Sequence, residues 1–153
     1  MKIGVISDTH TSILPVEAME KLESLNLDLI VHCGDYTDVN VVHQLQALGN
    51  FCGVLGNMDP GAIRKILKEK EVIEVEGKRI GVFHGHGLFL ADKNLEKVFK
   101  EEKIDIYFHG HTHRLRNEKK KDIYYLNPGS FHRSMLIVTL KRGKEIEVEV
   151  VRF

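Results

Sequence analysis

Positive charge is not in surplus in this sequence. Lys plus Arg number 22 and Asp plus Glu number 22 over 153 residues, whereas a surface that clamps nucleic acid normally carries an excess of Lys and Arg on one face. Strong nucleic-acid binding is therefore not expected. Cysteine is equally scarce. Cys33 and Cys52 cannot make a disulfide framework, and each lies in an apolar stretch where a buried, reduced thiol is expected, as in the cytoplasm. Long apolar runs are missing too: Ile3 to Ile6 is cut off by Ser7-Asp8, too short for a signal-peptide core or a membrane span. No targeting segment and no membrane partner are expected. There is no G-x-x-x-x-G-K-[ST] nucleotide loop and no G-x-S-x-G nucleophile elbow, which removes two common phosphate and acyl-transfer chemistries. What remains is 42% hydrophobic and 29% charged residues, ordinary for a folded protein, in a length that suits one domain over residues 1–153.

The apolar pattern alternates between strands and helices. Lys2 to Ser7, Asp28 to Cys33 and Phe51 to Leu55 read as buried strands. Between them a helix follows Pro15, with Val16, Met19, Leu22 and Leu25 at helical spacing. A second, capped by Asp38, carries Val39, Val42, Leu45 and Leu48 and stops at Gly49. Strand, helix, strand, helix, strand is the pattern of a parallel sheet covered by helices. Farther on, a short helix is expected over 61–70, a hairpin of 71–76 with 79–84 about Gly77-Lys78, a helix capped by Asp92, and a strand over 104–109. The last third reads as strand-like pieces at 115–118, 123–126, 134–140 and 145–153, suited to antiparallel pairing. An edge strand within 115–126 leaves a homo-oligomer open, and Lys119-Lys120-Lys121 reads as a solvated tip. The expected fold class is α/β, a two-sheet β-sandwich flanked by helices.

The informative regularity is what ends each apolar strand. Ile3 to Ser7 runs into Asp8-Thr9-His10, Leu29 to Cys33 into Gly34-Asp35, and Cys52 to Leu55 into Gly56-Asn57. Ile80 to Phe83 runs into His84-Gly85-His86, and Ile106 to Phe108 into His109-Gly110-His111-Thr112-His113. In open α/β sheets ligands bind at the carboxyl ends of strands, so these residues are expected to converge. Asp8/His10 and His111/His113 are spaced i, i+2, which in extended backbone points both side chains to one side. Aspartate, asparagine and histidine form a mixed oxygen and nitrogen set, suited to Mn, Fe, Ni, Co or Zn rather than to an all-oxygen Ca or Mg cage. So many ligands suit two ions sharing a bridging carboxylate.

The order D-x-H, G-D, G-N, H-G-H and G-H-T-H, followed by Asn127-Pro128-Gly129-Ser130, resembles the calcineurin-like metallophosphoesterases. Within them it is similar to the small single-domain phosphodiesterase branch that also includes the metal-poor scaffold subunit of retromer. The resemblance runs from Asp8 to Ser130 and implies two divalent ions, most often Mn, with Ni, Co, Fe or Zn as alternatives. The first would be held by Asp8, His10, Asp35 and His113, and the second by Asp35, Asn57, His84 and His111, with Asp35 bridging. It further implies hydrolysis of a small phosphodiester by a water activated between the ions, with Asn57 also near the substrate.

The departure is at Gly56-Asn57-Met58-Asp59. Larger members of the superfamily carry a histidine after the asparagine, thought to protonate the leaving oxygen, and a thioether cannot. His86 is then either the acid, in contact with substrate, or a support for ligand His84. Asp59 and Asp38 read as orienting or capping groups, and Asn127 to Ser130 as a turn that fixes the ligand histidines or meets phosphate. His32, His43, His109 and His132 read as structural or surface residues. The H-x-H of amidohydrolases belongs to a much longer barrel, and the H-x-H-x-D-H of metallo-β-lactamase folds requires an aspartate that is absent here. The rival of a different class is a non-catalytic scaffold of the same fold that binds partner proteins. Pocket walls are expected from 11–14, 36–37, 58–61 and 87–91.

Overall fold

A computed structural model describes residues 1–87 and 90–153; two positions of the expected 87–91 wall lie outside the described residues. The chain runs β1 (Lys2–Ile6), α1 (Val16–Ser24), β2 (Leu29–His32), α2 (Val39–Ala47), β3 (Phe51–Gly53), α3 (Gly61–Arg64), β4 (Lys70–Val75) and β5 (Lys78–Phe83). It continues as α4 (Ala91–Val98), β6 (Ile106–Phe108), β7 (Arg116–Lys120), β8 (Ile123–Asn127), β9 (Ser134–Thr139) and β10 (Glu147–Arg152). Two mixed sheets form, ordered β10-β9-β1-β2-β3 and β4-β5-β6-β8-β7. This is the expected helix-flanked sandwich. The parallel pairs β1·β2, β2·β3, β5·β6 and β6·β8 all run toward one rim, where their polar carboxyl ends gather.

The core explains why the strands read as continuous apolar runs. Ile3, Val5, Val31, Val82, Ile106, Phe108, Leu126 and Leu136 bury their side chains between the sheets. Ile6, Leu22, Ile30, Val42, Leu45 and Ile137 pack sheet one against α1 and α2. Both faces are covered, so period-2 alternation is lost. Asp38 caps α2 as expected, accepting the Asn40 N–H at 2.8 Å.

Several local expectations are corrected. Helix α3 stops at Arg64 rather than reaching Lys70, because Lys68 bridges Val54 and its carbonyl accepts the Leu55 N–H. The β4–β5 turn is Glu76-Gly77, both at positive φ (49° and 79°), with Lys78 already paired to Val75; this suits a two-residue hairpin in which both central residues are left-handed. Asp92 does not cap α4. Leu90 holds that position without a side-chain bond, and Asp92 faces Arg116 and Lys120. Lys119 and Lys120 belong to β7 and pair with Glu145 and Asp92, leaving Lys121-Asp122 as the tip. Strand β7 is an edge, but β8 is interior and pairs parallel with β6. Both cysteines are free; Cys33 is buried, whereas Cys52 is only half-buried.

Candidate metal centre

At the rim two buried carboxylates face a ring of imidazoles. Asp8 Oδ1 lies 3.6 Å from His10 Nε2, 3.8 Å from His84 Nε2 and 3.2 Å from His113 Nε2. Asp35 Oδ2 lies 3.5 Å from His10 Nε2 and 3.2 Å from His84 Nε2. Asp35 thus sits between a His10 side and a His84 side. The ring of His111 packs edge-on against His84, centroids 5.1 Å apart. Asn57 occupies the exposed turn after β3, and its neighbour Met58 donates its N–H to Asp35 Oδ1 at 2.9 Å. Asp8, His10, Asp35, His84, His111 and His113 therefore come to one rim, with Asn57 in the turn whose next residue, Met58, bonds Asp35.

The backbone achieves this differently from the extended i, i+2 geometry. Asp8, His10, Asp35, His111 and His113 all adopt positive φ, between 43° and 68°. Aspartate and histidine tolerate this region better than most residues. Contacts between loops hold four of them: Asp8 N donates to Gly34 O, His10 N to Asp35 O, Asp35 N to Asp59 Oδ2 and His111 N to Asp8 Oδ2. A Cβ at Gly56 would lie 2.0 Å from Asp35 Oδ1, and one at Gly110 would lie 2.0 Å from Ser7 Oγ, so these glycines serve close approach rather than unusual φ.

Supporting groups then orient each carboxylate. Asp8 Oδ2 accepts from Ser7 Oγ at 2.7 Å and His111 N at 3.1 Å, which turns Oδ1 toward the histidines. Asp59, buried, accepts four backbone N–H groups, from Asp35, Tyr36, Thr37 and Gly56, and so pins the Asp35 loop to the Asn57 turn. The sequence signals no more than an orienting role here, because the donors are remote backbone groups. His32 is buried and joins the loops: Gly34 N donates to its Nδ1 at 3.0 Å, which leaves Nε2–H for Thr9 Oγ1 at 3.2 Å. Asn127 donates to Gly110 O and Thr112 Oγ1 and accepts from Gly129 N. The late turn thereby braces the His111–His113 loop, while Ser130 Oγ donates to Asp8 O. Buried His109 contacts Asn127 and Arg116; burial, then the Arg116 charge, pushes its pKa down to about 4. His43 and His132 are exposed.

The electrostatics are those of a site that wants cations. Burial pushes the Asp35 carboxyl up, but the His84 contact, the Met58 N–H and His10 together hold it below its ordinary range. Burial pushes His84 down, yet Asp35 and Asp8 raise it overall. Its Nδ1–H donates to Cys33 O at 2.7 Å, which fixes the tautomer and aims Nε2 at the carboxylates. Although that Nε2 is near Asp35, neither it nor Asp8 Oδ1 makes a hydrogen bond of acceptable geometry, and both are buried. Buried polar atoms are normally satisfied, so these two fit a cation between them. Among the described residues, Asp8, His10 and His113 form one group with ligand atoms within 4.8 Å of one another, and Asp8, Asp35 and His84 form another. His86 stands beside them, its ring 5.7 Å from His84 and 6.5 Å from His111, and burial followed by the His84 charge lowers its pKa. Met58 is 61% exposed at the rim.

A helix-flanked double sheet with acids and histidines gathered at the strand ends defines a metallophosphoesterase-type protein. Residues 1–143 match the calcineurin-like phosphoesterase superfamily domain, and the chain belongs to that superfamily. It is 39% identical to a probable metallophosphoesterase of Methanocaldococcus jannaschii, over 85% of this chain and 68% of that protein. A phosphodiesterase of the same organism is 29% identical over 84% of this chain and 83% of its own length. The fold also matches Vps29 of Entamoeba histolytica complexed with Zn²⁺, at TM-score 0.79 and 22% identity, over 99% of each chain. Membership of the superfamily implies divalent metals, and the buried unsatisfied atoms fit them. Among the described residues no helix is long and apolar enough to cross a membrane.

Proposed function

We propose that the chain is a single-domain phosphodiesterase, with a first ion held by Asp8, His10, Asp35 and His113 and a second by Asp35, Asn57, His84 and His111. The observation that carries this reading is Asp35 Oδ2, within 3.5 Å of His10 Nε2 and 3.2 Å of His84 Nε2, beside the buried, unsatisfied Asp8 Oδ1. When bound, divalent ions would acidify water at neutral pH and neutralise phosphoryl oxygens.

The chain's own residues do the rest. Met58 N–H holds the Asp35 carboxylate while Asp59 holds the Asp35 backbone; Ser7 and His111 N–H hold the carboxylate of Asp8. Fixing the ligands this tightly spares reorganisation during the reaction. His86, its ring beside those of His84 and His111, offers a ring N–H to a phosphoryl or leaving oxygen. Manganese is the ion proposed first, and the protein is proposed to work in the cytoplasm.

Hydrolysis of bis-p-nitrophenyl phosphate by Mn-supplemented protein is the test. Turnover should disappear with chelator and in Asp35→Asn, and persist in His43→Ala, which alters an exposed α2 residue. Full activity of Asp35→Asn at saturating Mn would overturn the assignment. Absence of turnover in the Mn-loaded wild type would favour the scaffold role.

A further inference from the structure

Beside the loop that follows His10 lies a cleft of about 290 Å³ whose exposed wall is mostly apolar. Leu14, Pro15 and Ala18 form one side, and Phe131 and Phe153 form the other, their rings meeting edge-to-face with centroids 5.2 Å apart. The size falls at the lower end of small-ligand sites, which are typically about 300–1,000 Å³ and mostly apolar with a few polar groups. Those polar groups are present: Thr11, His132, and Glu17 with Lys21 one helical turn apart also line the cleft.

The cleft is lined by residues of the same loops that carry the candidate metal centre. Thr11 directly follows His10, and Phe131 directly follows Ser130, whose hydroxyl donates to Asp8 O; Phe131 N in turn donates to Ser7 O. Strand β10 lies one strand beyond β9, the neighbour of β1, so the Phe153 end of β10 is about 10 Å across the sheet from the end of β1, two strand spacings. The cleft is also preformed. Leu14 is held by paired bonds to Gln44, its N–H donating to Oε1 at 2.7 Å and its carbonyl accepting from Nε2 at 3.1 Å. An apolar slot with aromatic walls, next to a centre that would grip phosphate, can hold the part of a diester that the metals do not.

We infer that this cleft seats a flat aromatic substituent of the phosphodiester, the class to which nucleobases belong, and so selects aryl and nucleoside diesters over alkyl ones. The inference rests on the phosphodiesterase reading. Aromatic side chains hold bases by stacking, and removing such a contact typically weakens binding by roughly tenfold or more. Phe153 is 53% exposed and is the ring most available for that contact.

The experiment uses the Mn-loaded full chain and three diesters that share a p-nitrophenolate leaving group: methyl, phenyl and thymidine 5′-esters. Because the leaving group is constant, only the retained group is compared. The phenyl and thymidine esters should show KM values lower by about tenfold. Phe153→Ala, and Ala18→Trp, which fills the slot, should erase that advantage while leaving the methyl ester unchanged. Independently, thymidine added to metal-free protein should shift the NMR resonances of Phe131, Phe153 and Ala18. Equal KM for all three esters would overturn the inference, as would thymidine shifts located elsewhere or a dimer that buries Phe153. If none of the esters is hydrolysed, the phosphodiesterase reading fails, and the thymidine shifts still decide whether the cleft binds aromatic rings.

Discussion

Replacing Asp59 by asparagine should destabilise the protein far more than its isosteric size suggests. The Asp59 carboxylate is 4% exposed and accepts four N–H groups: Oδ2 from Asp35 and Gly56 at 2.9 and 2.8 Å, and Oδ1 from Tyr36 and Thr37 at 2.7 and 2.9 Å. Asparagine keeps one oxygen and points an NH₂ group at the other pair of donors. Two buried N–H groups are then left without an acceptor, at about 1–3 kcal/mol each, so a loss of about 4 kcal/mol is expected. For a domain of this length that corresponds to a fall in Tm of roughly 8–16 °C. Urea denaturation and thermal unfolding followed by circular dichroism give the two numbers, with Asp38→Asn as control, since asparagine caps a helix as well as aspartate does. Mn affinity should fall with stability, because Asp35 loses the anchor of its own N–H. A loss below about 1 kcal/mol would refute the claim that this carboxylate holds the Asp35 and Asn57 loops together.

Further outcomes follow from other groups. The Arg116 guanidinium, aided by Lys120, holds Asp92 down to about 2, so its pairing stabilises the fold above the ordinary aspartate pKa of about 3.9 and loses that effect as pH falls through about 2. Asp92→Asn should therefore cost about 1–2 kcal/mol near neutral pH, discounted for partial exposure, and progressively less as pH falls toward and below 2, as read by urea titrations across pH. At the rim, Met58 cannot donate a proton, so turnover should favour diesters with leaving groups of low pKa, and Met58→His should flatten that dependence, since general acids contribute about 10² to 10⁴ in rate. A flat dependence in the wild type would show that an efficient acid is already present, and its steepening in His86→Ala would identify that acid as His86.

The strand ends carried most of what was legible. Asp8, Asp35, Asn57, His84 and His111 each close a separate apolar run; parallel pairing brings such ends together within each sheet, so that much followed from polarity and order, whereas the facing of the two sheets' rims did not. The reason the side chains converge did not. It lies in left-handed backbone at Asp8, His10, Asp35, His111 and His113; at the first four, N–H bonds to remote carbonyls or carboxylates accompany it, and local spacing does not reveal them; the residue types, tolerant of that region, were the available hint. Asp92 looked like a helix cap because its partner, Arg116, lies 24 residues away. The span after α3 looked helical because nothing local announces that Lys68 will bridge Val54. The aromatic cleft was hidden for a similar reason: Phe153 and Leu14 are distant in sequence and meet only once β10 lies beside β9.

The central claim is that two ions share Asp35. Anomalous diffraction at the manganese edge, from crystals of the Mn-supplemented protein, measures it directly. Two peaks flanking the Asp35 carboxylate are predicted, one against His10 and His113 and the other against His84, His111 and Asn57. A single peak, no peak, or density that leaves Asp35 touching one ion only would contradict the account.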